Sequence, residues 1–204
     1  MDFTIASYAV WRAGVEASAP DVSFIPPLER RRLTGVERAA LSVAWQVRPE
    51  GEVPVVFASR WGEIGVTVKL MKQFHADREM SPAGFSASVH NAAPGAFSLL
   101  TRNHAPYTAI AARERSLEAG ILEALVQGAV VFVFAEEATP AFYAPEFGSL
   151  QPACALAVRL EPGGACRAEC RATDCPPVTF DAADAFFSGR TDSLESASFT
   201  LARG

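Results

Sequence analysis

The run Arg113-Glu114-Arg115-Ser116 has the makings of a chemical corner. It follows a short apolar stretch, Tyr107–Ala111, and opens an apolar helical pattern over 116–127. In α/β enzymes such a strand-to-helix corner often carries a nucleophile. The only hydroxyl in it is Ser116, with no base beside it, and a first-turn or N-cap role suits that residue better. A carboxylate such as Glu114 is a poor nucleophile toward thioesters. The positive end of a helix favours its ionised form, by about 0.3–1 kcal/mol in exposed settings. The other reactive types lie elsewhere. His75, His90 and His104 are upstream, and Cys154, Cys166, Cys170 and Cys175 crowd the last quarter without a C-x-x-C pair. That spacing is wrong for zinc, and reduced, partly buried thiols are expected, with no metal.

The composition narrows the classes. The chain has 204 residues, half of them hydrophobic and a fifth charged, which suits one folded domain over 1–204 with a short C-terminal tail. Its formal net charge of -5 argues against nucleic acid as a partner. No apolar run approaches the ~20 residues of a membrane span. The first residues lack the basic region of a secretory signal, so a cytoplasmic location is expected.

The elements that would position the corner alternate. FTIASYAV (3–10) reads as a strand. Thr34 and Glu37 form a capping box for a helix buried through Val36, Ala40, Val43, Ala44 and Val47. VPVVFAS (53–59) reads as a strand from the middle of a parallel sheet. A second helix begins near residue 61, with Ile64, Val68 and Met71 on one side. Residues 81–102 read as two helical pieces hinged at Pro94-Gly95. The helix after the corner buries Leu117, Ile121, Ala124 and Leu125, with Gly120 allowing close packing. A strand follows over 129–137. ACALAVRL (153–160) and ACRAECRA (165–172) look like a hairpin turning at Pro162-Gly163-Gly164, and FDAADAFFSG like a last helix. This order implies layered helices on a mixed, mostly parallel sheet of five strands, antiparallel near the C-terminus.

Two segments together carry a family resemblance. In FSASVHNAAPGAFSL (85–99), Asn91, Ala93 and Gly95, with Pro106 beyond, fall at the gapless spacing of the N-x-A-x-G segment and following strand of β-ketoacyl synthases. RRLTGVERAALSVAWQ is similar to their first-helix region, and the order of elements agrees over residues 1–160. The chain resembles the small β-ketoacyl synthase N-terminal-domain proteins found in gene clusters for aryl polyene lipids. The resemblance implies half of a thiolase-like fold. It puts Glu114 on the seat of the nucleophilic cysteine, as a first-turn acid or with a role in acyl-chain handling.

The second half of a full ketosynthase, with its two histidines and lysine, is expected to be missing. A decarboxylating condensation needs a thiolate and donors for the developing enolate. No catalytic residue is therefore expected, and no cofactor. By resemblance, Tyr107, Thr108, Ala109, Ile110 and Ala111 would form the strand that pairs across a two-fold axis with a full-length β-ketoacyl synthase. Phe85, His90, Asn91 and Phe97 would flank that interface and limit acyl-chain length. Their plainer roles are core packing for the phenylalanines and loop hydrogen bonding for His90 and Asn91. The basic run at 28–32, with Arg38, would meet an acidic acyl carrier protein or form a solvated face. Two other functions fit the same residues: an acyl-thioester enzyme with an unrecognised nucleophile, and a stand-alone carrier-binding module.

Overall fold

The computed structural model describes residues 1–15, 19–143, 152–172 and 174–204. Within them the chain runs β1 (Asp2–Arg12), α1 (Pro27–Arg30), α2 (Gly35–Val47), β2 (Val55–Ala58), α3 (Ile64–Asp77), α4 (Pro82–Ser86), α5 (Ala92–Thr101) and β3 (Tyr107–Ile110). It continues through α6 (Ser116–Gln127), β4 (Val130–Glu136), β5 (Cys154–Pro162), β6 (Cys166–Cys170), α7 (Phe180–Phe187), β7 (Ser193–Glu195) and β8 (Phe199–Arg203). Part of the expected Pro-rich loop after β4 lies outside the described residues.

The strands form one eight-stranded sheet in the order β3-β2-β4-β5-β1-β6-β8-β7. Eight strands replace the expected five because β6 joins the same sheet beyond β1 and the serine-rich tail pairs as β7 and β8. Only β2–β3 and β2–β4 are parallel; the five other pairings are antiparallel. The parallel part is thus the three-stranded end that carries the corner.

The expected hairpin of β5 and β6 is corrected too. Both strands pair with β1, one on each side of it. Gly163 and Gly164 take positive φ, 74° and 112°. Gly163 donates to the Asp2 carbonyl, and the Thr4 hydroxyl donates to the Gly163 carbonyl at 2.7 Å. A Cβ on Gly164 would run into the Thr4 side chain. The turn therefore wraps around the start of β1 and carries the chain to its far edge.

Strand alternation divides the core. Val55, Phe57, Val131 and Val133 share one face of the sheet, buried in one cluster with Val36, Ala40, Val43, Ala44 and Val47 of α2 and Ala93 and Phe97 of α5. Val56, Ala58, Val130 and Phe132 face α6 through Leu117, Ile121, Ala124 and Leu125, and α7 adds Phe186 and Phe187. The capping box of α2 forms as the sequence implies. Gly120 also does what its position suggests. A Cβ there would sit 2.6 Å from both Ala58 and Phe132, so α6 lies directly on the sheet.

Two local expectations change. On α3, Ile64 and Val68 are buried, but Met71 is 55 % exposed and Leu70 takes the buried place. Leu70 lies close over Gly84 of α4, which turns the apolar stripe by one residue. The break in 81–102 falls at 87–91, and Pro94 and Gly95 sit in the first turn of α5. A proline there gives up no helical hydrogen bond.

One polar network ties α7 to β1. Asp184, 4 % exposed, accepts from Tyr8 Oη at 2.5 Å, from Arg12 at 2.5 Å and from Arg190 at 2.6 Å. Arg12 also pairs with Asp181.

Candidate functional site

The corner is built by its own backbone. After β3 the chain enters a 3-10 turn, Arg113–Arg115, in which Arg113 has φ +54°, the left-handed region that costs a non-glycine residue energy. Ser116 holds this turn closed. Its hydroxyl donates to the Arg113 carbonyl at 2.7 Å and accepts from the Ala112 N–H at 2.9 Å. At 1 % exposure, with that hydroxyl engaged on both sides, Ser116 is a structural residue of the bend. Arg115 turns the other way, donating to Glu118 Oε2 at 2.8 Å and to the Cys175 carbonyl at 3.0 Å.

Glu114 points outward into a cleft of about 750 Å3 beside the ends of β2, β3 and β4. Its carboxylate pairs with Arg60 at 2.7 Å. Its own backbone N–H, then Arg60 and Arg113, hold it below the usual carboxylate range. Leu117, Phe134, Val178 and Phe180 give the cleft apolar walls. Arg60 is set in place by Glu136, at the end of β4, which accepts the Arg60 N–H and the Ser59 hydroxyl, the latter at 3.1 Å. Burial pushes the Glu136 carboxyl up to about 7, and the bonds from Arg60 and Ser59 oppose that rise.

Cys154 lies opposite Glu136 on β5 and also lines the cleft. Burial, with Glu136 adding to it, raises this thiol to about 12. It is therefore protonated at neutral pH, and a thiol in that state is a weak nucleophile. No disulfide joins the four cysteines among the described residues. The cleft thus brings together a stabilised carboxylate, a protonated thiol and a spent serine hydroxyl.

The strand before the corner is an edge. Among the described residues β3 pairs only with β2 and closes one end of the sheet. Pro106 and Ile110 carbonyls accept from Val55 and Ser59, so residues 106, 108 and 110 face β2. Parallel alternation leaves the backbone groups of Tyr107, Ala109 and Ala111 facing outward. Such an open edge is a template for another strand.

The four flanking residues separate. Phe85, 58 % exposed, and Asn91 are at the surface. His90 is half-buried, its Nε2 donating to the Ser59 carbonyl at 2.9 Å with its ring edge-on to Phe57. Phe97 packs in the core between α5, α2 and β2. Truncating a buried phenylalanine leaves a cavity, so Phe97→Ala is expected to cost about 3–5 kcal/mol of stability, read by urea unfolding.

The basic run also divides. Arg30 donates inward to the Ser23 and Ile25 carbonyls, and Arg38 to those of Leu33 and Arg30. Arg31 and Arg32 stay exposed. Sequence reasoning named Cys154 only as a thiol without bringing it to this site, and it missed Glu136 and the wall from Val178 and Phe180. The acidic pair closing an otherwise apolar strand, Glu136-Glu137, was the available signal. No helix among the described residues is long and apolar enough to cross a membrane.

Comparison with curated proteins gives no match. Among solved structures, the chain is similar to one in "Ketosynthase (ApeO) in Complex with its Chain Length Factor (ApeC) from Xenorhabdus doucetiae", at 19% identity and a TM-score of 0.81, with 100% of both chains covered. A chain of "The ishigamide ketosynthase/chain length factor" follows at 14% and 0.61, covering 83% of this chain and 68% of that one. A β-ketoacyl synthase from Burkholderia phymatum STM815 gives 12% and 0.53, covering 86% and 58%. At these identities the likeness carries the fold, the thiolase-like half that the resemblance implied. Sequence carries the family: residues 8–193 match the model described as "Beta-ketoacyl synthase, N-terminal domain". With nearly its whole length so matched, this chain belongs to the β-ketoacyl synthase N-terminal domain family.

Proposed function

We propose that this chain is a non-catalytic ketosynthase-like subunit that pairs with a full-length β-ketoacyl synthase. It stabilises that enzyme or tunes acyl-chain length in aryl polyene, fatty acid or polyketide synthesis, in the cytoplasm. The observation that carries this reading is the strand-to-helix corner whose Glu114 is ion-paired with Arg60, at the position where the resemblance would put the nucleophile. A thiolate is what acyl transfer would require there. The open edge of β3 supports the pairing, because a partner strand would satisfy its outward backbone groups. Two of the structurally similar proteins are described as ketosynthase and chain length factor pairs, which supports the same role.

In this reading the chain acts as a single ketosynthase-like domain without a cofactor. Tyr107–Ala111 form the docking edge, and Phe85 and Asn91 extend that face. His90 and Phe97 shape the acyl path from behind it. An acyl carrier protein would reach the pair through Arg31 and Arg32.

Reconstitution tests the role. A full-length β-ketoacyl synthase from the same organism is assayed with carrier-bound acyl and malonyl groups, with and without the chain. Condensation or product length should depend on the chain, and the chain alone should give no product. Identical yield and length in its presence and absence would sink the proposal.

A further inference from the structure

A second group of carboxyls lies away from the cleft floor, at the root of α3. Glu63, the residue before the first turn of α3, is 2 % exposed. Its Oε1 accepts from the Thr34 hydroxyl at 2.9 Å. Its Oε2 is buried with no hydrogen-bond partner among the described residues. A buried carboxylate oxygen without a donor is costly, whereas a protonated carboxyl loses far less by the same burial.

The charged groups around Glu63 point the same way. From α2 comes Glu37, whose carboxylate accepts the Thr34 N–H at 2.7 Å and has Arg38 beside it. From beyond β4 comes Glu137, which accepts the Gly65 N–H of the first turn of α3. A Cβ on residue 65 would lie 2.7 Å from Glu137 Oε2 and would make that carboxylate shift. The charges that act on Glu63 are thus both acidic, Glu37 and Glu137. Burial pushes its carboxyl up to about 8. The bond from Thr34 opposes that rise, and Glu37 and Glu137 add to it.

Thr34 joins two helices through one side chain. Its hydroxyl accepts the Glu37 N–H at 3.0 Å as the cap of α2, and spends its single proton on Glu63. We propose that Glu63 is an uncharged acid that latches the first turn of α3 to the cap of α2, and that the latch loosens as pH rises. The inference rests on the isolated chain and on no partner. Its consequence reaches the surface, because α3 leads into the exposed apolar side chains Phe74, Met80 and Phe85.

The direction follows from proton linkage. The closed latch holds a proton that the open one releases above the ordinary carboxyl value of 4.5. Opening is therefore favoured as pH rises from there to about 8, and levels off above it.

Hydrogen–deuterium exchange of peptides covering residues 64–70, corrected for the intrinsic pH dependence of exchange, tests this between pH 6 and 9. Protection in the native protein should fall by about tenfold per pH unit up to the plateau. Glu63→Gln keeps the shape and the acceptor for Thr34 and should remove that one-proton slope. Glu137→Gln should keep the slope and move its end to lower pH. A slope unchanged in Glu63→Gln, or one lost in Glu137→Gln instead, would overturn the proposal. Carbon-13 titration of the Glu63 carboxyl in the native protein gives a reading free of any variant's folding. A midpoint near 8 supports the latch, and one near 4.5 refutes it.

Discussion

Asp184→Ala is expected to cost about 3–5 kcal/mol of folding stability, the range for removing one partner of a buried, hydrogen-bonded ion pair. For a chain of this size that is a fall in Tm of about 6–20 °C. The substitution does more than delete a charge. Tyr8 loses the acceptor of a 2.5 Å bond, and Arg190 loses its pairing at 2.6 Å. Arg12 keeps the exposed Asp181 and its stacking over the Phe180 ring. All three lie where α7 meets β1, so the layer formed by α7 should loosen first. Burial raises the Asp184 carboxyl, but the bonds from Tyr8, Arg190 and Arg12 outweigh burial and leave it below the ordinary 3.8. Its contribution is therefore full above that value and is lost as pH falls through its lower native value. Circular-dichroism melts across pH would show the acid limb flattened in Asp184→Ala. A fall in Tm of a degree or less at neutral pH would contradict this account of the network.

Ala109→Pro is expected to leave the isolated fold standing and to abolish strand pairing with the proposed partner. The Ala109 N–H faces away from β2, so a proline there removes no bond within the sheet, and edge strands tolerate it. In a complex it would remove an interfacial donor and leave an acceptor of the partner strand unpaired. Together these are worth about 2–4 kcal/mol, roughly 30- to 900-fold in affinity. Thr108→Pro is the control, because that N–H points toward β2 and its loss should damage the fold itself. Titration calorimetry against the ketosynthase, with melts of each variant alone, separates the two effects. Equal affinity for Ala109→Pro and the native chain would remove β3 from the interface.

The parts legible in the sequence are those where local chemistry and burial agree. Thr34 and Glu37 announce the α2 cap, and Gly120 announces a close approach, because each acts through neighbours in its own element or on the facing strand. The corner was legible as a short apolar strand running into an apolar helical pattern, and β3 and α6 form on either side of it. What the sequence hid is long-range pairing. Two alternating strands around Pro162-Gly163-Gly164 look like a hairpin. Nothing local tells that β1, more than 140 residues earlier, lies between them. The same holds for Glu136, Arg60 and Glu114, which meet only because β2, β3 and β4 end side by side. Met71 failed for a smaller reason: α4 packs on α3 at Leu70, and helical periodicity alone cannot know which neighbour a helix will meet.

The central claim is that this chain works as half of a pair, and the mass of the purified assembly tests it most directly. Co-expression with its full-length ketosynthase partner, followed by size-exclusion chromatography with light scattering, should give one species whose mass is the sum of one copy of each chain. Two separate peaks, with the chain eluting at its own mass of 21.8 kDa or as a homodimer and the ketosynthase unchanged, would contradict the account.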